Sequence, residues 1–242
     1  MKNLSFAFKT PFFTLLSLLF LGLSTINVQA QTDQDIYSII DQVSAERIEQ
    51  DITSLVNFGT RHTLSDTLSN KTGIGAARRW IKKSFENTAA NCGDCLEVFY
   101  QGNLVKKGTN SRIVKDVNIV NVVAIQRGSK YPNKFIVCWI IDSRVSDPTD
   151  YTSTSPGAND NASGMAGTLE AARVLSKYTF ENSIIYVGLS GEEQGLFGGK
   201  GLAEYAKAQG WEIIGILNND MIGNITGVDG TISNTDFRIF IS

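Results

Sequence analysis

Two long apolar runs constrain the fold of this chain more than any other feature. Residues 117–125 (VNIVNVVAI) and 135–141 (FIVCWII) are rich in β-branched residues and almost without polar interruption. Strands of this composition are usually covered on both faces, as in a sheet that lies between layers of helices. Shorter runs of the same kind predict two further strands, at residues 183–189 and 212–218.

Segments with helical periodicity alternate with these strands. In the first segment Ile48, Ile52, Leu55 and Val56 fall on one face of a helix. The predicted helices cover residues 44–58, 72–86, 162–177 and 201–208. Alternating strands and helices are typical of an α/β fold. We therefore expect a three-layer α/β/α domain with a mostly parallel central sheet.

The N-terminus has the features of a secretory signal peptide. Lys2 and Lys9 flank the start, residues 11–23 are uncharged and largely apolar, and Val28 and Ala30 place small residues before a cleavage point. The apolar run is shorter than the roughly 20 residues that span a bilayer. We expect a signal peptide at 1–30, a secreted or periplasmic domain at 31–242, and no membrane attachment after cleavage.

Charge and histidine content exclude several functions. The net charge is −2, which provides no basic excess for binding nucleic acid. The chain has one histidine, His62, so an H-E-x-x-H zinc site is excluded and a Ser-His-Asp triad has little support.

Three cysteines remain in a chain that we expect to be exported. Cys92 and Cys95 are separated by two residues, and an oxidising compartment favours a disulfide between them. A thioredoxin-type redox site is the alternative, although no βαβ pattern surrounds the pair. Cys138 lies within an apolar run and is predicted to be a buried thiol.

Acidic residues follow each predicted strand of the second half. Asp142, Asp160, the Glu192-Glu193 pair and Asp220 all lie near strand exits, where ligands bind in open α/β sheets. So many carboxylates at one edge would repel one another unless a cation neutralised them, which favours a metal site. The alternative is that these acids only cap helices and solvate loops.

Three motifs give the chain a specific resemblance. They are PGANDNASG at 156–164, GEEQGL at 191–196 and NDMIG at 219–223. In order and spacing they resemble the zinc aminopeptidase family of secreted bacterial leucyl aminopeptidases, to which glutamate carboxypeptidase and glutaminyl cyclase are more distantly related. The resemblance covers roughly residues 45–235. It implies a zinc-exopeptidase fold and a peptide substrate.

The same resemblance implies a role for each acidic residue. Asp160 would bridge two zinc ions, Glu193 would bind one of them and Asp220 the other. Glu192 would be the general base that takes a proton from the metal-bound water. Asp142 would support a metal-bound histidine.

The chain departs from the family at both imidazole ligands. Ile140 stands where the family has a histidine, and the second histidine would lie downstream of Ser242, so we expect a domain that is incomplete at its C-terminus. His62 lies outside the family's ligand positions. Zinc favours nitrogen and sulfur donors, so zinc binding and hydrolysis are predicted to be impaired or absent. A non-catalytic protein that binds a peptide or a partner, or a gene fragment without a settled function, are the alternatives.

Overall fold

A five-stranded mixed sheet forms the centre of the molecule. The computed structural model describes residues 34–139 and 141–234, and its strands lie in the order β1-β2-β4-β3-β5. The strands are β1 Leu96–Val105, β2 Val117–Gln126, β3 Tyr131–Trp139, β4 Asn182–Gly188 and β5 Glu212–Asn218. The α/β prediction is confirmed.

The sheet contains fewer parallel pairings than the sequence suggested. β3 pairs in parallel with both β4 and β5, whereas β2 pairs antiparallel with β1 and with β4. Apolar runs show that a strand is buried on both faces but do not encode its direction. β1 was not predicted, because its sequence LEVFYQGNLV interleaves polar and apolar residues and only three of its ten residues are buried.

Helices cover both faces of the sheet. The helices of these layers are α2 Ala45–Val56, α3 Gly73–Asn91, α4 Gly164–Leu175 and α5 Phe197–Ala208, whereas α1 Gln34–Ile40 has no buried residues. Val122 and Ala124 of β2 pack in a core with α2, α3 and α4, while Val123 and Ile125 pack on the other face with α5. Successive residues of β2 therefore serve opposite layers, which confirms the three-layer arrangement.

α5 begins four residues before the predicted start, and the glycines of this first part pack closely against neighbouring segments. A Cβ on Gly198 would lie 2.0 Å from the carbonyl oxygen of Ser190, and one on Gly201 would lie 2.5 Å from the Asn103 Oδ1. The helix therefore approaches the sheet at a distance that only glycine permits. Helical glycines weaken the sequence signal, which explains the late predicted start.

The predicted disulfide is present. Cys92 and Cys95 are bonded, with their Cα atoms 5.5 Å apart, in the turn between α3 and β1. The side chain of Cys138, the whole of Ile140 and the predicted signal peptide lie outside what the structure describes. None of the helices in the described part of the chain is long and apolar enough to cross a membrane.

β5 is the most exposed strand of the sheet. Among the described residues β5 pairs only with β3, so it lies at an edge of the sheet. Ile214 is 47% exposed and Leu217 is 59% exposed, on opposite faces of the strand. The described residues therefore cover neither face of β5.

The packing of α3 generates a stability prediction. Ile81 is fully buried in the core that α3 forms with the sheet, whereas Lys83, two residues later, is exposed. Ile81→Ala should lower the free energy of unfolding by about 2–5 kcal/mol, because it removes buried methyl groups and leaves a cavity. Lys83→Ala is the matched control and should change it by less than about 0.5 kcal/mol. Denaturant unfolding of both variants measures the difference; equal effects would contradict the packing described.

Candidate active site

A buried carboxylate joins the exits of two strands. Asp142 follows β3 and is 1% exposed. Its carboxylate accepts hydrogen bonds from the backbone N–H groups of Gly191 (3.0 Å), Glu192 (3.3 Å) and Glu193 (3.3 Å), in the turn after β4. The Thr63 hydroxyl donates a fourth, at 2.9 Å. Asp142 therefore fixes the backbone that carries both glutamates.

Burial raises the pKa of Asp142 to about 6, in spite of these donors. Desolvation disfavours the charged form, and the nearby Glu193 carboxylate disfavours it further. The four hydrogen bonds act in the opposite direction, because each is made to the ionised carboxylate. The group is thus a buried acid that is held ionised at neutral pH by the backbone it organises.

A second set of hydrogen bonds joins the turn at Asp160 to the loop after β5. The Asn161 side chain donates to the carbonyl of Asn219 at 2.9 Å and accepts from the N–H of Met221 at 3.3 Å. A Cβ on Gly164 would lie 1.9 Å from the Asn219 carbonyl oxygen, so the two segments are in close contact. These contacts bring Asp160 and Asp220 to the same edge of the sheet.

The predicted acidic residues influence one another electrostatically. Burial is the largest cause of a raised pKa at Glu192, Asp160 and Asp220, and neighbouring carboxylates raise each of them further. The pKa of Glu192 rises to about 7. Glu193 contributes to all three shifts. These mutual effects link Asp142, Asp160, Glu192, Glu193 and Asp220, which we call the carboxylate cluster.

An arginine that the sequence analysis overlooked pairs with this cluster. The Arg144 guanidinium donates to the Glu193 carboxylate, and both side chains are largely buried. Arg112 donates to the backbone carbonyl of Glu193 at 2.6 Å. Arg144 lies two residues after Asp142, so its place at the strand exit was a signal that could have identified it. Part of the negative charge is thereby neutralised by the chain itself.

The described residues do not fit the two-zinc site that the resemblance implies. No group of three or more His, Cys, Asp or Glu side chains among them is arranged to hold a metal ion. The donors of the cluster are all carboxylate oxygens, which suit magnesium, calcium or manganese better than zinc. Glu193, the residue expected to bind one zinc, is paired with Arg144.

His62 is engaged in the protein interior. It is 1% exposed, its Nδ1 accepts a hydrogen bond from the N–H of Leu64 at 3.0 Å, and its Nε2 lies 3.1 Å from the carbonyl oxygen of Pro148. These partners assign the ring proton to Nε2. Burial lowers the His62 pKa and so disfavours the charged ring. Both ring nitrogens are thus used by the fold.

Two buried arginines were also missed. Arg61 is 1% exposed and Arg78 is 6% exposed, and burial lowers the pKa of each to about 10. Both lie close enough to Asp142 for its carboxylate to favour their charged form. Sequence patterns give no direct signal for such residues, because arginine is ordinarily a surface residue.

Comparisons with known proteins find one matching family model and several similar curated proteins. Residues 121–236 match the model of Peptidase family M28. A probable zinc metalloprotease of Pyrenophora tritici-repentis is 38% identical over 209 residues, which are 86% of this chain and 48% of that protein. One from Leptosphaeria maculans is 41% identical over 214 residues, which are 88% and 49%. The chain spans about half the length of these curated relatives.

Solved structures share the fold. LapB from Legionella pneumophila superposes with a TM-score of 0.64 at 21% identity, over 81% of this chain and 48% of LapB. Porphyromonas gingivalis glutaminyl cyclase superposes with a TM-score of 0.60 at 20% identity, over 75% and 62%. Identities this low establish a common fold and not a common reaction.

The raised pKa of Glu192 predicts a pH dependence of stability. An unfolded glutamate ionises near 4.5, whereas folded Glu192 does so near 7, so the folded state binds more protons between these values. Without divalent cations, the free energy of unfolding should therefore fall as the pH rises from about 4.5 to about 7. Glu192→Gln should make this fall shallower, because the amide cannot ionise.

Denaturant unfolding at a series of pH values, in a chelating buffer, measures this effect. Glu204→Gln removes an exposed glutamate of α5 and is the matched control, which should leave the profile unchanged. A profile that Glu192→Gln leaves as steep as that of the unmodified chain would show that Glu192 is not held in the cluster.

Proposed function

We propose that this chain, whose residues 121–236 match the model of Peptidase family M28, derives from an exported aminopeptidase and has little or no hydrolytic activity by itself. The substrate would be a peptide, cleaved after its N-terminal residue. The observation that carries the proposal is the carboxylate cluster of Asp142, Asp160, Glu192, Glu193 and Asp220, which lacks a described imidazole and uses Arg144 as its counter-ion.

Two properties of the cluster support action at a peptide N-terminus. Glu192 is partly exposed and has a pKa of about 7, which suits a group that accepts and returns a proton near neutral pH. Asp160 and Asp220 are exposed beside it and add negative charge at the open edge of the sheet. A negative edge attracts the protonated amino group of a peptide and repels its carboxylate.

The donor set supports the loss of activity. Each zinc of the family's site has one imidazole, and in this sequence Ile140 occupies one of those positions. Loss of a supporting residue alone typically lowers metal affinity or activity about 10–100-fold, and loss of a direct ligand should lower it more. We therefore assign no catalytic step to zinc in this chain.

Export and disulfide formation are consistent with each other. A bond between Cys92 and Cys95 persists in an oxidising compartment such as the periplasm or the extracellular space. The signal sequence predicted at 1–30 would deliver the chain there. The specific resemblance to secreted bacterial aminopeptidases is likewise only part of the proposal, because the curated relatives reported above come from fungi.

The activity of the purified chain tests the proposal. We expect hydrolysis of leucine p-nitroanilide at the level of a Glu192→Gln variant, and no stoichiometric zinc by elemental analysis after dialysis. Hydrolysis that exceeds the variant, together with two bound zinc ions, would contradict the proposed loss of activity. If Ile140→His restores turnover, the isoleucine at that position accounts for the loss of activity.

A non-catalytic peptide-binding protein is the second candidate, because the described residues offer a negatively charged sheet edge at which Asp160 and Asp220 are exposed. It predicts saturable binding of a peptide with a free N-terminus, measured by calorimetry, that survives Glu192→Ala. The same peptide with an acetylated N-terminus is the control and should bind at least about tenfold more weakly, as expected when a charge-assisted contact is lost. Equal binding of both peptides would argue against recognition of the amino group.

A further inference from the structure

A cage of backbone carbonyl groups encloses the Arg61 guanidinium. Its Nη1 donates to the carbonyls of Leu55 (3.0 Å) and Pro156 (2.7 Å). Its Nε donates to Ile141 (2.9 Å) and its Nη2 to Gly157 (2.8 Å). All three nitrogen atoms of the guanidinium are therefore used, and the side chain is 1% exposed.

The four carbonyls belong to three separate segments. Leu55 lies in the last turn of α2, Ile141 directly precedes Asp142, and Pro156 and Gly157 open the loop that leads to Asp160. Arg61 thus joins the strand exit that carries Asp142 to the loop that carries Asp160.

The fit of Gly157 shows how closely this loop approaches the guanidinium. Gly157 has a φ of +49°, and a Cβ there would lie 2.8 Å from the Arg61 Nη2 and 2.2 Å from the carbonyl oxygen of Asp160. A side chain at this position would push the loop away from Arg61. A second tie runs in parallel, because the Ser143 hydroxyl accepts from the N–H of Arg61 at 3.1 Å and donates to the carbonyl of Ser155 at 2.9 Å.

Arg61 stays charged in this cage. Burial lowers its pKa to about 10, while the carboxylates of Asp142 and Asp160 favour the charged form. The carbonyl dipoles take the place of water around the cation. Lysine could not replace these contacts, because it offers three donors from one point where Arg61 offers a planar fork of five.

We propose that Arg61 is a positioning residue that sets the distance between the Asp142–Glu192 side of the cluster and the Asp160 side. The roles of those carboxylates rest on the proposed function, but the tie itself does not. Since Asp142 also holds the turn of Glu192 and Glu193, one guanidinium controls how the separate strand exits converge.

Arg78 offers a matched control. It is a second buried arginine with a pKa of about 10 that is influenced by Asp142. Its Nε and Nη2 have no hydrogen-bond partner in the structure, in contrast to the full set at Arg61. Replacement of either arginine by methionine removes one buried cation near Asp142. Only the replacement of Arg61 removes bonds to the Asp160 loop.

Hydrogen exchange and amide chemical shifts of the full chain test the proposal. Arg61→Met should speed exchange at residues 157–162 by roughly tenfold or more, the effect expected when charge-assisted hydrogen bonds to a loop are lost. It should also shift the amide resonances of Asp160 and Asn161. Arg78→Met should leave both readouts near those of the unmodified chain. Arg61→Lys, which keeps the charge and one or two bonds, should lie between them.

Three results would overturn the assignment. The first is equal loop exchange in the Arg61→Met and Arg78→Met variants; the second is an unchanged loop in Arg61→Met; the third is full restoration by Arg61→Lys, which would make charge alone sufficient. Should Arg61→Met fail to fold, Arg61→Lys takes its place. Exchange at residues 157–162 that is no faster in Arg61→Lys than in Arg78→Met would then overturn the assignment. No hydrolysis is measured, so an inactive chain leaves this test intact.

Discussion

The burial of Asp142 at the end of β3 is the constraint on which the rest of the site depends. A buried carboxylate is costly unless hydrogen-bond donors and opposite charges surround it. Three consecutive N–H groups of residues 191–193 and the Thr63 hydroxyl provide the donors. The guanidinium groups of Arg61 and Arg78 provide the charge. The turn after β4 takes its course because it satisfies this carboxylate.

The sheet explains why the carboxylates converge. β3 lies between β4 and β5 and is parallel to both, so the carboxyl ends of these three strands meet at one edge. Asp142, Glu192, Glu193 and Asp220 closely follow those ends, whereas Asp160 lies farther along the loop after Asp142. Burial is the largest cause of the raised pKa values of Glu192, Asp160 and Asp220, and repulsion between the converging carboxylates raises them further. Arg144 relieves part of it by pairing with Glu193.

The sequence predicted the elements with local signals and missed those that depend on distant contacts. The strand at 212–218 is observed with the predicted bounds, because its apolar run is short and sharply bordered. The acidic residues near the strand ends were identified because each follows a clearly bordered apolar run. β1 was missed because its partner β2, and not its own composition, makes it a strand. Arg61 was missed because three of its four carbonyl partners lie 80 to 96 positions away, and Arg144 because its partner Glu193 lies 49 positions away.

Asp142 and Arg61 fix the site by complementary means. The anion holds the Glu192 turn through backbone N–H groups, and the cation holds the Asp160 loop through backbone carbonyls. Both ties act on the main chain and are buried. The side-chain carboxylates of Asp160 and Glu192 therefore need not stabilise the loops that carry them, and no described residue donates a hydrogen bond to either. These carboxylates are thus available to a ligand or a proton while their backbone is held in place. Both ties are hydrogen bonds within the chain and do not require a metal ion.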